Sequence, residues 1–190
     1  ARQEVIEYEV VSKQAPFLFM SMLYDNCIER GKAIFDGGIQ YLGGTLETYG
    51  NVNASNSLAA IRKVVFEDNS VSGSDLLDAL DRNFEGREDI RRLLLDAPKY
   101  GNDDPYADCV AVDFHECLCQ MVQRQNEKVP LHSYLVVIIN NEANTLVGEF
   151  TAASADGRGA REYLANANAP FGGTDKNGIT ALLNSTVKLR

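Results

Sequence analysis

Apolar residues recur at helical spacing along most of the chain, and glycine-rich breaks separate the periodic stretches. The first periodic stretch predicts a helix that begins near Pro16 and ends by Gly37–Gly38. Four apolar side chains lie near one face of this predicted helix: Met20, Leu23, Cys27 and Ile34. The next stretch, 39–53, has no helical period and is rich in Gly, Thr, Asn and Tyr, so it predicts a short strand or an extended loop.

Four further helices are predicted between residues 56 and 121, each with a signal at one end. Asn56 is the predicted N-cap of the first, and Ser74 is the predicted N-cap of the second. The third ends before Pro98, because the residue before a proline disfavours helical dihedrals. Asp104 is predicted to cap the fourth and longest helix, in which Pro105 takes the first position.

The last third of the chain begins with an unbroken run of branched apolar residues, Leu135–Ile139. Such a run predicts a strand that is buried on both faces, as in a parallel sheet. From Asn140 to Gly178 the periodicity fades, and long stretches of this kind are often functional loops. Residues 179–189 are apolar again and predict a final helix or strand. Helices around few, buried strands indicate the α/β fold class.

The charge of the chain argues against two classes of partner. Its 190 residues carry a formal net charge of −9, and the acidic residues are spread along the sequence. Nucleic acids and anionic membrane surfaces need clustered Lys and Arg, which the sequence does not offer. No apolar run approaches the roughly 20 residues that span a bilayer. The 45% of hydrophobic residues is typical of a globular protein.

Three of the four cysteines lie within one predicted helix, which is poor geometry for a disulfide framework. The four are Cys27, Cys109, Cys117 and Cys119. Reduced thiols in a cytoplasmic protein are the interpretation that we favour. His115 and Cys119 stand four residues apart and could share a metal, but a structural zinc site needs four ligands and no second pair is present. Ordinary packing is therefore the favoured alternative, and no metal is predicted.

Acidic residues offer two more candidate sites. Asp103, Asp104 and Asp108 could together bind a cation, while the alternative is that Asp103 and Asp104 cap the following helix and stabilise its positive end. Glu47 lies in the glycine-rich stretch near a predicted strand end, where α/β folds place binding groups. A solvated loop residue is the alternative interpretation for Glu47.

Four segments in order resemble the part of the barrel that follows the catalytic cysteine in glycyl radical enzymes, the family of pyruvate formate-lyase. The segments are Cys27–Lys32 with Gly37–Tyr41, Gly50–Ile61, Ala97–Asp104 with Tyr106–Asp108, and Thr151–Arg158 with Asp175–Ala181. Each motif alone is weak, but four in order with family-like spacing are specific. The chain departs from the family pattern at Asn56, where an Asp is usual, and at Ala155, where a Pro is usual.

The resemblance implies part of a ten-stranded α/β barrel, built from two five-stranded halves. In that family a stored glycyl radical activates a cysteine, which attacks the substrate inside a dry chamber. An iron–sulfur activating enzyme that uses S-adenosylmethionine installs the radical, and no other cofactor is expected. Cys117 and Cys119 lie on a helix after the Gly-Asn-Asp turn and are not assigned the catalytic role.

The chain is expected to be one partial barrel domain, 1–190, that lacks both the cysteine loop and the glycine loop. The missing signals at its two ends also favour a segment of a longer protein. Without the two loops, the isolated segment is expected to have no activity. Its expected partners are the activating enzyme, the remainder of the barrel, a small-molecule substrate and a second subunit in a homodimer.

The expected function of the full-length protein is that of a radical dehydratase or C–X lyase in an anaerobic cytoplasm. The alternatives are pyruvate formate-lyase, a formate acetyltransferase and so a transferase, and a non-catalytic structural or interaction module. Three residues are pocket candidates by analogy: Glu47 to move a proton, Thr151 to donate a hydrogen bond, and Asn51. Packing within a loop is the alternative role for each. The remaining motif residues are expected to be structural, with Arg158 tethering the Asp-Gly turn: Asn56, Asn102, Asp103, Asp104, Asp156 and Arg158.

Overall fold

A computed structural model describes residues 1–139 and 141–189 of the chain. Asn140, where the long predicted loop begins, lies outside the described residues, as does Arg190. The chain divides into two compact units. The first unit comprises Ala1–Glu47 and Leu118–Val137, and the second comprises Thr48–Cys117 and Ile138–Arg190.

The N-terminal part of the first unit is a helix followed by short helical turns. Helix α1, Arg2–Gln14, carries Glu4 in its first turn and Lys13 in its last, which is the favourable order for the helix dipole. This helix was not predicted from the sequence. The next elements are three short turns: α2 (Leu18–Ser21), α3 (Cys27–Arg30) and a 3₁₀ turn (Ile34–Asp36).

The prediction of one helix from Pro16 to Gly37–Gly38 was therefore wrong. Asn26 and Gly31 adopt left-handed backbone conformations, with φ of 72° and 61°, and a right-handed helix cannot pass through such a residue. Of the predicted apolar face, Cys27 and Ile34 are buried, while Leu23 is 67% exposed.

Two strands pair in a two-stranded sheet, β1 (Gly43–Thr48) and β2 (Ser133–Ile138). The His132 amide donates to the Leu42 carbonyl at 2.8 Å, and the Ile139 amide donates to the Thr48 carbonyl at 3.2 Å. Residue numbers increase in the same direction along both strands, so the pairing is parallel. Strand β1 lies within the stretch 39–53 that was predicted as a short strand or an extended loop, and β2 begins two residues before the predicted strand Leu135–Ile139. The α/β class is confirmed.

The burial predicted for β2 was wrong for the described residues. Leu135 is 58% exposed and Val137 is 36% exposed.

At the start of β1, helix α1 contributes a contact of its own, because the Tyr8 hydroxyl donates to the Gly43 carbonyl at 2.9 Å. Burial and a hydrogen bond to Glu4 raise the pKa of Tyr8 to about 12.

The second unit is built on three helices that share one apolar core. They are α4 (Asn51–Ile61), which continues as a π-helical turn (Arg62–Glu67), α5 (Gly73–Asp81) and α6 (Glu88–Asp96). The core residues come from all of these elements and from the segments that follow them, with one more from a distant loop: Ala60, Val64, Val71, Leu76, Ala79, Phe84, Ile90, Leu94, Ala97 and Ala155. Helix α6 ends before Pro98, as predicted.

Two predicted N-caps were wrong. Helix α4 already begins at Asn51, so Asn56 lies inside the helix, where its side-chain oxygen accepts a hydrogen bond from the Tyr100 amide at 2.9 Å. The cap of α5 is Ser72, whose hydroxyl oxygen accepts from the Asp75 amide at 3.1 Å, and not Ser74. Both errors place the cap later than the structure does.

The remaining helices follow the turn that contains Asp104. Asp104 caps α7 (Pro105–Asn126), because its Oδ1 accepts from the Tyr106 amide at 2.9 Å, and this prediction is confirmed. Helix α8 (Ala143–Glu149) lies inside the stretch that was predicted as loop. Residues 150–177 are irregular, and α9 (Gly178–Thr186) resolves the final element as a helix. Within the described part of the chain, no helix combines the length and apolarity that crossing a membrane requires.

Candidate functional site

The carboxyl end of β1 leads directly into α4, and Asn51 is the first helical residue. Gly50 makes the sharp connection with a φ of 68°, a conformation that suits glycine. The half-buried Asn51 amide donates to the Thr48 hydroxyl at 3.1 Å. In α/β folds, ligands bind outside the carboxyl ends of parallel strands. Asn51 therefore lies where such a fold places a binding group.

The other two pocket candidates have different surroundings. Glu47 lies on β1 in the first unit and is exposed. Thr151 follows the end of α8, so a whole helix separates it from β2. Its hydroxyl donates to the Val147 carbonyl at 2.7 Å, which uses the proton that the expected donor role requires. That role stays a prediction, and it would need the Val147 bond to break.

The Asp-Gly-Arg turn is held by the carboxylate of Asp156, which is 3% exposed. Its Oδ1 accepts from the Ser154 hydroxyl at 2.6 Å and from the Arg158 amide at 3.2 Å. Its Oδ2 accepts from the Asn53 amide group at 2.7 Å. Both carboxylate oxygens are therefore used to close the turn and to attach it to α4.

The Arg158 guanidinium fills the inside of the same loop and is 1% exposed. It donates to the Gly159 carbonyl at 3.0 Å, to the Glu162 carbonyl at 2.8 Å, and to the Ala152 carbonyl. Burial lowers the pKa of Arg158, and the nearby Asp156 carboxylate opposes this effect. A guanidinium that bonds to three carbonyls of one loop acts as its internal scaffold.

Asn53 is a residue of this region that the sequence analysis missed. It is 4% exposed, and its side-chain oxygen accepts from the Ala165 amide at 2.7 Å, while its amide group bonds to Asp156. Had the start of α4 been placed at Asn51, helical spacing would have put Asn53 on the buried face with Asn56 and Ala60. The missed signal was therefore the position of the helix start.

The loop after Arg158 is also attached to the end of β2. The Leu164 amide donates to the Asn144 carbonyl at 3.1 Å, and the Ala167 amide donates to the Ile139 carbonyl at 3.1 Å. The buried Asn144 side chain adds bonds to Ile139 at 3.1 Å and to Asn166 at 3.2 Å. No sequence pattern indicates this role for Asn144, because its partners are set by the packing of α8.

The Gly-Asn-Asp turn holds the irregular segment before α9. The Asn102 amide group donates to the Thr174 carbonyl at 2.7 Å. The Asn102 side-chain oxygen accepts from the amides of Lys176, at 2.7 Å, and Asn177, at 3.1 Å. One asparagine side chain thus joins two of the four motif segments.

Asp103 and Asp108 share the ammonium of Lys188, which lies 2.7 Å from an oxygen of each carboxylate. The hydrogen bonds to Asp103 and Asp108 raise the pKa of Lys188, and the hydrogen bond from Lys188 lowers the pKa of Asp103. A side-chain cation therefore occupies the position between these two acids, while Asp104 caps α7. Within residues 1–139 and 141–189, no three His, Cys, Asp or Glu side chains are grouped as metal ligands would be.

Two motif turns meet at the carboxyl end of α6. Lys99 is 6% exposed, and its ammonium donates to the carbonyls of Leu94, at 2.5 Å, and Ala97, at 2.9 Å. Gly157 of the other turn packs against Leu95, since a Cβ added there would lie 2.6 Å from the Leu95 Cγ. Arg91 completes the contact by donating to the Gly157 carbonyl at 2.9 Å.

Burial lowers the pKa of Lys99 from 10.5 to about 8, against the opposing charge of Asp156. Compared with the unfolded chain, the folded state therefore binds the Lys99 proton less tightly. The free energy of unfolding rises as the pH increases from the pKa of the folded state to the pKa of the unfolded state. We expect the wild-type protein to gain about 2 kcal/mol over the Lys99→Met variant between pH 7 and pH 9.5. Denaturant midpoints of both proteins at the two pH values measure this gain, and a constant difference would contradict it.

Comparison with known proteins adds a family-level match. The family model described as pyruvate formate lyase-like matches residues 1–148 of the chain. The chain is 36% identical to the probable dehydratase YbiW of Escherichia coli over 195 residues, which cover 97% of the chain and 24% of that protein. It is 35% identical to an isethionate sulfite-lyase of Bilophila wadsworthia, over 84% of the chain and 19% of that protein.

A solved structure superposes closely on the chain. The structure of hydroxyproline dehydratase from Clostridioides difficile, with trans-4-hydroxy-L-proline bound, superposes with a TM-score of 0.91 at 33% sequence identity. The match covers 98% of the chain and 24% of that structure. The chain thus spans about a quarter of the length of the relatives that it matches.

Proposed function

Because the chain belongs to the pyruvate formate lyase-like family of glycyl radical enzymes, we propose that it is part of a radical dehydratase or C–X lyase that acts on a small organic substrate. Its fold is part of the α/β barrel of these enzymes. One observation carries the proposal: a dehydratase structure matches 98% of the chain with a TM-score of 0.91. The relatives named as a dehydratase and a sulfite-lyase point to the same branch.

In this proposal, the hydrogen abstraction is supplied by a glycyl radical and a catalytic cysteine that lie outside residues 1–190 of the full-length protein. Residues 1–190 form one partial barrel domain whose own residues bind the substrate and exclude water from it. The proposed partners are the remainder of the barrel, a second subunit, and an activating enzyme with S-adenosylmethionine and an iron–sulfur cluster. An anaerobic cytoplasm is the setting that suits such radicals.

Within the chain, we assign substrate contact first to Asn51. Its position at the carboxyl end of β1 supports the assignment, since one N–H of its amide is bonded to Thr48 and the side-chain oxygen can accept from a substrate hydroxyl. Glu47 is proposed to take up or release a proton when a hydroxyl or another group leaves. Thr151 is proposed as a further polar contact to the substrate. Its hydroxyl would accept a hydrogen bond from the substrate, or donate one after its bond to the Val147 carbonyl breaks.

The proposal is tested by activating the full-length protein anaerobically with its activating enzyme. We expect a doublet glycyl signal in electron paramagnetic resonance, followed by consumption of one substrate from a panel. The panel contains trans-4-hydroxy-L-proline, isethionate, and pyruvate with coenzyme A. A known family member activated in the same way serves as the positive control.

Each outcome of this experiment decides between the candidates. Turnover of pyruvate would place the protein with pyruvate formate-lyase, and the dehydratase proposal would be wrong. A missing doublet beside a positive control would instead support a non-catalytic structural module. Asn51→Ala should retain the doublet and raise KM about tenfold, the effect of losing one hydrogen bond to the substrate; an unchanged KM would remove Asn51 from the pocket.

A further inference from the structure

We propose that Asn53 is a positioning residue that fixes the end of β1, with Asn51, relative to the loop between Asp156 and Ala165. This inference rests on the proposed function, because it takes the carboxyl end of β1 as part of the substrate pocket. Asn53 itself does not contact the substrate. It acts through the residues that it holds in place.

The contacts of Asn53 join parts of the chain that are far apart in sequence. Its amide group donates to Asp156 Oδ2 at 2.7 Å across 103 residues, and its oxygen accepts from the Ala165 amide at 2.7 Å across 112 residues. The side chain is 4% exposed, so water does not compete for these bonds. Asn53 stands in the first turn of α4, two residues after Asn51, and a shift of its amide would therefore displace Asn51 as well.

The two partners of Asn53 are themselves fixed. Asp156 Oδ1 is bound by the Ser154 hydroxyl at 2.6 Å and by the Arg158 amide at 3.2 Å. Beyond Ala165, the Ala167 amide is bound to the Ile139 carbonyl at 3.1 Å, next to the end of β2. A rigid acceptor on one side and a rigid donor on the other leave the Asn53 amide a single position, which is what a positioning role requires.

The direction of these bonds allows a decisive pair of variants. Asn53→Asp alone places two carboxylates at a hydrogen-bond distance with no proton donor between them, and like charges in a buried site repel strongly. In the double variant, Asn53→Asp with Asp156→Asn, the new amide group at position 156 donates to the new carboxylate at position 53. Its side-chain oxygen still accepts from Ser154 and Arg158, and the carboxylate still accepts from Ala165. Every hydrogen bond and the net charge are retained with donor and acceptor exchanged.

The experiment uses the full-length protein activated as above and the panel substrate that the wild type consumes. We expect Asn53→Asp to raise KM at least tenfold while the glycyl radical content stays at the wild-type level. The double variant should return KM to within about threefold of the wild type, since it restores the bonds that set the geometry. Asn69→Asp is the control, because Asn69 is an exposed turn residue of the same unit that bonds to the Glu67 carbonyl at 3.3 Å. It should change nothing.

A second readout keeps this inference separate from the proposed function. Hydrogen exchange of peptides covering residues 164–168 should be at least tenfold faster in Asn53→Asp and normal in the double variant. If the wild type forms no radical, the proposed function fails, and the exchange data alone decide whether Asn53 positions the loop. A double variant that recovers neither KM nor exchange would overturn the inference. So would an Asn53→Asp protein with altered melting but unchanged kcat and KM.

Discussion

Arg158→Met is expected to lower the local stability of the Asp-Gly-Arg loop by about 4 kcal/mol, a large effect for one substitution. Methionine fills much of the volume of the arginine stem, but it donates no hydrogen bond. The carbonyls of Gly159, Glu162 and Ala152 would then remain buried without the donor that the guanidinium supplies. Asp156 would also lose the charge of the buried guanidinium with which it interacts. The measurement is native-state hydrogen exchange of the amides of residues 152–162 in the full-length protein.

Two further variants distinguish lost bonds from lost charge. Arg158→Lys keeps the charge but cannot reach three carbonyls with the fork of a guanidinium, so an intermediate loss is expected. Arg92→Met is the matched control, because Arg92 is exposed on α6 of the same unit and should cost less than about 0.5 kcal/mol. Equal exchange in the Arg92 and Arg158 variants would show that the loop does not depend on the buried guanidinium.

The elements that the sequence predicted well are those with strong local signals. Pro98 ends α6 and Asp104 caps α7, because a proline ring and a capping carboxylate act within a few residues. The apolar run at 135–139 is also a local signal, and it predicted β2. The single helix predicted after Pro16 failed because Asn26 adopts a left-handed conformation that no apolar pattern records.

Most of the other wrong predictions concern residues whose surroundings are set by contacts with residues far away in sequence. Asparagine is a residue type favoured at N-caps, yet the partner of the Asn56 side chain is the Tyr100 amide, 44 residues away in sequence. Leu135 and Val137 were predicted to be buried, because a branched run suits an interior strand, but they are exposed within residues 1–190. A strand is buried on both faces only where other elements cover both faces, and the sequence of the strand alone does not show whether they do.

The candidate site was predictable only in part, for a related reason. The order of the four motifs was enough to predict the family, and the family match confirmed it. What each motif residue does was not readable from the motif. Asn102 binds the segment before α9, and Lys99 caps α6 beside the Asp-Gly-Arg turn, because packing brings these segments together. The functional roles of Glu47, Asn51 and Thr151 remain predictions for the experiments above.

Gly148→Ala is expected to destabilise α8 and the loop beside it by about 3 kcal/mol, the upper range for overpacking a buried site. A Cβ added at Gly148 would clash with the backbone of the neighbouring loop. It would overlap the Glu162 carbonyl oxygen and lie 2.8 Å from the Tyr163 Cα. Backbone atoms cannot rotate away as a flexible side chain can, so α8 and the loop must separate. That separation would also weaken the bond from Arg158 to the Glu162 carbonyl, now 2.8 Å long.

Gly73→Ala provides the contrasting case for this prediction. Gly73 begins α5, and an added Cβ would meet nothing within 4 Å. Alanine there should be neutral or stabilising by about 0.5 kcal/mol, because it reduces the freedom of the unfolded chain. Hydrogen exchange at residues 143–149 and 160–165 should therefore accelerate in Gly148→Ala and stay unchanged in Gly73→Ala. Similar exchange in both variants would mean that α8 and the loop are not in close contact, and the attachment of the loop to the end of β2 would have to be reconsidered.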